Sequence, residues 1–257
     1  TGWKLSLDLS TGFRAPNIDD LGKVFDSEPG AVIVPNPGLR PEYAYSAEVG
    51  MEKTINELVR LRGGAYHILL DDAMVRRPFT LNGQDSIVYD GEPSRVDAIQ
   101  NAARARVYGF LLGVDARITK YLSLDLRYNW QDGVEQDDAN TTDVPLRHAP
   151  PPFGQAGLTW DRNKLRAQVF TQFSGGFEFD ELPPSEQAKA PIYAKDELGR
   201  PFSPAWYTLN LRLAYRLHKA LQVTAAVENI TDQRYRPFSS GISAPGRNIV
   251  VALRATF

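Results

Sequence analysis

The stretch Asn248-Ile-Val-Val-Ala-Leu-Arg-Ala-Thr-Phe257 alternates strictly. Phe257, Ala255, Leu253, Val251 and Ile249 fall on one face, because residues two apart in a strand point the same way. Thr256, Arg254, Ala252, Val250 and Asn248 form a more polar register on the other face. A one-faced strand that runs to an aromatic residue at the last position is unusual for a soluble domain, whose termini fray. It is the pattern of the closing strand of a transmembrane β-barrel, with the ring held at the membrane interface.

Composition agrees with that reading without requiring it. The chain has 257 residues, of which 42% are hydrophobic, and a mean hydropathy of −0.34. No stretch approaches the ~20 apolar residues of a membrane-spanning helix. A barrel escapes this test, since its strands hide their hydrophobicity in alternation. The 29 basic and 31 acidic residues are mixed and form no basic stripe, so nucleic acid is not expected as a partner. Cysteine is absent, which excludes thiolate metal sites and disulfides. The first residues already read as strand, so the chain is expected to be part of a longer or processed protein.

Ten alternating segments are predicted, at about 3–13, 43–53, 58–75, 104–118, 122–132, 153–160, 165–174, 206–217, 221–230 and 247–257. Four connections are tight: Thr54–Glu57, Thr119–Tyr121, Asp161–Lys164 and His218–Ala220. Five are long: Arg14–Glu42, Arg76–Ala103, Gly133–Pro152, Gly175–Ala205 and Thr231–Gly246. Long and tight alternate throughout, so the long loops share one end of the sheet. Such an asymmetry is the mark of outer-membrane barrels. Asp138 and Glu186, within long loops, are expected at the accessible surface. All four tryptophans, Trp3, Trp130, Trp160 and Trp206, are predicted at strand ends, as headgroup-level girdles would place them. Alternation leaves open which face is wet. In a soluble sandwich the leucines point inward. In a barrel they face lipid, and Lys4, Glu48, Glu52, Asp115, Arg127, Arg212 and Glu228 line the lumen.

Four short boxes then stand in order along the chain. Ser10-Thr-Gly-Phe13-Arg14-Ala15-Pro16 leaves the first strand, and Asn36-Pro37-Gly-Leu39-Arg-Pro-Glu42 enters the second. Val227-Glu228-Asn229-Ile-Thr-Asp232 with Tyr235 follows the ninth. Pro245-Gly-Arg247 leads to the terminal Phe257. This set resembles the C-terminal barrel part of the TonB-dependent outer-membrane receptors. The resemblance implies an all-β, antiparallel transmembrane barrel of 22 strands, of which about ten are present, over residues 1–257. It implies a location in the bacterial outer membrane and contact with the lipid bilayer. A plug domain, absent from this chain, and the inner-membrane protein TonB would be partners in the full receptor. The implied cargo is a small molecule or metal chelate: a ferric siderophore, haem or cobalamin. In the haem-receptor branch a histidine follows the first box; here Asn17–Pro35 contains none. The terminal strand, with Phe257, Ala255, Leu253, Val251 and Ile249, resembles the signal read by the barrel-assembly machinery.

Chemistry beyond this is sparse. His67, His148 and His218 lack ligand spacing, so no metal or cofactor is expected. The acidic run Asp132, Glu135, Asp137, Asp138 and Asp143 lacks the glycine-spaced pattern of a calcium loop. Asp19 and Asp20 read as surface charge. Arg14 is the candidate contact for an anionic ligand; the competing reading makes it a loop-fixing donor. No nucleophile–base pair has supporting context, so the chain is not expected to be an enzyme. A soluble β-rich binding domain and a small outer-membrane barrel enzyme are the alternatives.

Overall fold

In a computed structural model the described residues are 2–22, 24–28, 30–136, 143–146 and 149–256. Phe257, His148, Asp137 and Asp138 lie outside them. Ten long strands carry the fold: β1 (Trp3–Arg14), β2 (Glu42–Ile55), β3 (Val59–Pro78), β4 (Glu92–Arg117), β5 (Leu122–Gln136), β6 (Phe153–Arg162), β7 (Leu165–Ser174), β8 (Trp206–His218), β9 (Leu221–Glu228) and β10 (Asn248–Ala255). Each pairs antiparallel with its neighbour in sequence, so these ten strands form a meander. Among the described residues β1 and β10 pair on one side only, which makes the sheet an open arc rather than a closed ring.

Registers decide the faces. Leu7, Val49, Ala65, Phe110 and Trp130 are mutual partners across β1 to β5. Leu124, Leu158, Val169, Leu211, Val227 and Ile249 continue such a row from β5 to β10. One apolar surface therefore runs across all ten strands without a slip. It is not buried: Leu5, Leu7 and Leu9 are 68–73% exposed and Val251 is 71% exposed. A contiguous apolar face of this size, left open by the chain itself, belongs against lipid.

The opposite face is charged and internally paired. Arg62 lies 3.4 Å from Glu52 and 2.9 Å from Asp115, and Arg127 donates to Asp115 at 2.5 Å. This ladder crosses β2 to β5 on the face opposite the apolar one. Gly113 sits between Arg62 and Arg127, where a Cβ would touch both side chains. Arg212 and Glu228 face each other at 3.8 Å farther along.

Three features depart from the sequence reading. The segment Arg76–Ala103, expected as a loop, is largely strand. β3 and β4 run on past the lipid-facing part, and Ser86–Tyr89 pairs back onto β4. The segment Arg14–Glu42 holds a helix at Ile18–Gly22 and a strand at Ala31–Ile33 that joins β4 in parallel. These extensions border protein and water rather than lipid on one side, so they carry no two-residue period to be read. Val32, Val34, Val96 and Ala98 are fully buried there and form a small core outside the membrane layer. Trp130 faces outward but does not end its strand, since β5 continues six residues beyond it. Trp206 opens β8 as expected, but lies in the register opposite to outward Tyr207, with its ring against Tyr235.

Leu211→Arg places a charge on the middle of the apolar face and is expected to cost about 2–4 kcal/mol. Arg212→Leu, one residue along and facing water, is expected to cost less than about 1 kcal/mol. Urea unfolding of the refolded receptor in lipid checks both; equal losses would remove the assignment of faces.

Candidate functional site

The long connections gather at one end of the sheet, and the sequence boxes sit there as joints. Asn17 caps the helix Ile18–Gly22: its Oδ1 accepts from the backbone N–H of Asp19 (2.8 Å) and Asp20 (3.0 Å), and Asp20 accepts in return from the N–H of Asn17 (3.0 Å). Two helix-end donors are thereby satisfied, as in a capping box. Arg14 donates to Asp20 at 2.9 Å and reaches Glu42 at 3.5 Å. Its guanidinium thus ties the exit of β1 to the entry of β2, with Phe13 and Tyr43 in ring contact beside it. Asp20 is a structural partner, not the surface charge expected from sequence. Ala15 and Pro16 carry the chain between strand and cap.

In the second box, Asn36 Oδ1 accepts from the N–H of Gly38 at 3.1 Å, and its amide donates to the carbonyl of Ile99 at 2.9 Å. Pro37 and Leu39 lie in the turn this creates, closed by the N–H of Leu39 on the carbonyl of Asn36. Glu42 also accepts from the N–H of Met74 at 2.8 Å, where the β3–β4 register shifts. The box therefore pins the first connection to β3 and β4.

The third box folds on Asn229, a buried residue with a left-handed φ of 48°. Its N–H donates to Asn210 (2.8 Å), its amide to the carbonyls of Gln233 (2.8 Å) and Pro245 (3.2 Å), and its Oδ1 accepts from Gln233 (2.9 Å). Asp232 accepts from the N–H of Arg247 at 2.7 Å. Gly246 is required there, because a Cβ would stand 2.7 Å from the same carboxylate. Glu228 begins this corner, and Ile249, Val251, Leu253 and Ala255 descend from it, paired to β9 and exposed outward.

Tyr235 completes a cavity of about 330 Å³ that sequence reasoning missed. Its ring stacks on Trp206 at 4.1 Å, and Arg234, Arg236, Pro191 and Ser203 line the space around them. The stack joins the connection before β8 to the one after β9. A second tie is the buried Glu186, also expected at the surface. It accepts from Lys189 (2.9 Å), Tyr193 (2.7 Å) and Ser239 (3.1 Å). Burial pushes the Glu186 carboxyl up, but these donors outweigh it and hold it below the usual carboxylate range. Burial and the neighbouring carboxylate push the Tyr193 hydroxyl well above the ordinary tyrosine value. Phe238 packs between Phe177 and Tyr193. One acid among many in a long loop gives no sequence signal of burial; the aromatic cluster around it was the only hint. Among the described residues no group of three or more His, Cys, Asp or Glu could hold a metal. His67 lies on the outward face and His218 in a tight turn.

Two outcomes follow from this geometry. Gly246→Ala and Asp232→Ala are each expected to free the connection after β9, read as faster amide exchange at Arg247 and Gln233. The Glu186 tie has a defined pH range. A lowered carboxyl contributes stability above its ordinary value, lost as pH falls through the folded value; a raised tyrosine contributes below its ordinary value and is lost only at higher pH. Exchange at Ser240 is therefore expected to be flat between about pH 4.3 and 10, after correction for intrinsic rates, and to accelerate at lower pH. Glu186→Gln is expected to remove that acid dependence.

The fold matches that of known proteins. The family description "TonB dependent receptor-like, beta-barrel" matches residues 1–230. Among solved structures, the copper transporter OprC superposes with a TM-score of 0.72 at 16% identity, over 99% of this chain and 37% of that one. The siderophore receptor PirA from Acinetobacter baumannii gives 0.74 at 14%, over 99% and 39%. A variant of the ferric enterobactin receptor PfeA from Pseudomonas aeruginosa, in complex with enterobactin, gives 0.73 at 16%, over 99% and 38%. The chain thus spans well under half the length of these structures. No curated protein matches it in sequence. With the family description covering most of its length and the same fold throughout, the chain belongs to the β-barrel of the TonB-dependent receptors.

Proposed function

We propose that this chain forms wall and mouth of an outer-membrane receptor for active uptake of a scarce nutrient, with a metal chelate as cargo. The observation that carries the reading is the cavity at Trp206 and Tyr235, on the wet face at the loop end. A stacked aromatic pair beside Arg234 suits a planar or aromatic ligand with negative charge. Iron, copper and siderophore transport in the names of the superposing structures supports that class of cargo. The remaining strands and a plug belong to the rest of the receptor, TonB supplies the energy, and the barrel-assembly machinery reads the strand ending in Phe257. The reading assigns no catalytic step to the chain. Arg14, already held by Asp20 and Glu42, acts as a loop-fixing residue.

Cells carrying the receptor are expected to take up at least one radiolabelled ferric chelate from a panel of catecholate and hydroxamate siderophores. Trp206→Ala and Arg234→Ala are each expected to weaken binding about tenfold or more, the scale of losing an aromatic or arginine anchor. Arg14→Ala is expected to act through loop order instead, shifting exchange at Asp19 and Asp20. Uptake of no chelate, or binding indifferent to Trp206 and Arg234, would overturn the reading.

A further inference from the structure

Charge is distributed unequally between the two ends of the sheet. The tight-turn segments 53–60, 117–121, 161–166 and 216–220 hold nine of the chain's 29 Lys and Arg residues but only two of its 31 Asp and Glu residues. The chain as a whole is slightly acidic, so the excess of positive charge is local to this end.

The pairing of these cations differs as well. At the loop end, Arg40 lies on Asp72, Arg77 on Glu135 and Arg104 on Asp71, while at the turn end Arg60 lies 3.6 Å from Glu52. At the turn end, Lys120, Arg162, Lys164 and Lys219 have no carboxylate within 4.0 Å among the described residues. Two of the four instead meet one aromatic ring. Lys120 Nζ stands 4.8 Å from the Tyr121 ring and the Arg162 guanidinium 5.0 Å from the same ring. Lys53 Nζ lies 4.6 Å from the ring of Trp3.

Direction completes the picture. Trp3 and Lys53 are partners in the same outward register as Leu5 and Met51. Trp160 pairs with Leu122 and Ala167, and Arg162 follows it on that face, opposite Leu165. Arg162 therefore stands at the edge of the apolar face, where hydrocarbon gives way to headgroups, and the turn residues Lys120, Lys164 and Lys219 border the same end of the sheet.

We propose that this rim is a binding surface for anionic phospholipid headgroups in the leaflet on the turn side. The proposal rests on the membrane reading above. Lys120, Arg162, Lys164 and Lys219, with no carboxylate partner among the described residues, offer what a phosphate oxygen needs, and a zwitterionic headgroup with its own cation answers them less well. The occupant is lipid rather than a soluble acidic protein because Arg162 shares the lipid-facing register of Trp160 and Leu165, with the turn lysines at the same end of the sheet.

The test uses the complete receptor in nanodiscs of equal parts phosphatidylcholine and phosphatidylglycerol, with lipids retained after detergent extraction counted by native mass spectrometry. Wild type is expected to retain phosphatidylglycerol about fivefold over phosphatidylcholine, with the preference fading as salt rises. Lys120→Gln, Arg162→Gln, Lys164→Gln and Lys219→Gln combined should bring the ratio near one. Arg104→Gln with Arg106→Gln, at the loop end, should leave it unchanged. Should the fourfold variant not fold, Lys120→Gln and Lys219→Gln singly, both in tight turns, should give partial losses. Equal retention by wild type overturns the proposal, as does a preference that survives the turn-end variants or disappears equally in the loop-end variant. A receptor that inserts as a heat-modifiable barrel yet shows no preference defeats this inference alone; one that fails to enter bilayers defeats the membrane reading beneath it.

Discussion

Backbone polarity in a medium without water is the constraint on which this structure rests. An unmet N–H or C=O in hydrocarbon costs several kcal/mol, so each spanning strand must be paired along its length. A meander of sequence neighbours meets that demand with the shortest connections, and antiparallel ladders allow two- to four-residue turns. Once pairing is obligatory, the side-chain period of two does the rest. A slip of one residue anywhere would turn an apolar strand face into the wet interior. The unbroken row from Leu124 to Ile249 shows that no such slip occurs across the second half of the sheet.

The two faces then face different electrostatic problems. Outward residues need only be apolar, which is why the face tolerates Leu, Val, Ala and Phe in no fixed order. Inward charges stand close together at strand spacing, where opposite signs attract and like signs repel. Glu52, Arg62, Asp115 and Arg127 alternate in sign across neighbouring strands, with Gly113 between the two arginines. In a wet interior the gain from each pair is modest. The same wet face also accommodates carboxylates directly opposite each other, Asp8 with Glu48 and Asp115 with Asp125.

How far the fold could be read in advance depended on which neighbours a segment has. Strands flanked by lipid and water announce themselves, and β1, β2 and β6 to β9 fall within a few residues of their expected ends. Where protein packs on both sides, as at Val32 and Val96, the period is lost and strand looks like loop. The boxes around Phe13, Asn36 and Asn229 were legible as motifs. Their physical role, joining connections through reciprocal hydrogen bonds, appears only in three dimensions. Glu186 gives no sign in the sequence of being enclosed, since its three donors come from residues 3, 7 and 53 positions away. Trp206 was misread because one residue of register separates an interfacial ring from a lumenal one.

The small core at Val32, Val34, Val96 and Ala98 has a kinetic meaning. Its parallel pairing joins Ala31 to Arg95 across the whole of β2 and β3. Closing so long a loop has an entropic cost that local hairpins avoid, so contacts of this kind form late. The β2–β3 and β3–β4 hairpins must already be in register before the strand at Ala31 has an edge to join. Outside the membrane layer, that last step proceeds in water with the barrel wall as its template. Substitutions in this cap would then change the final stage of maturation while the earlier, membrane-bound stages run as before.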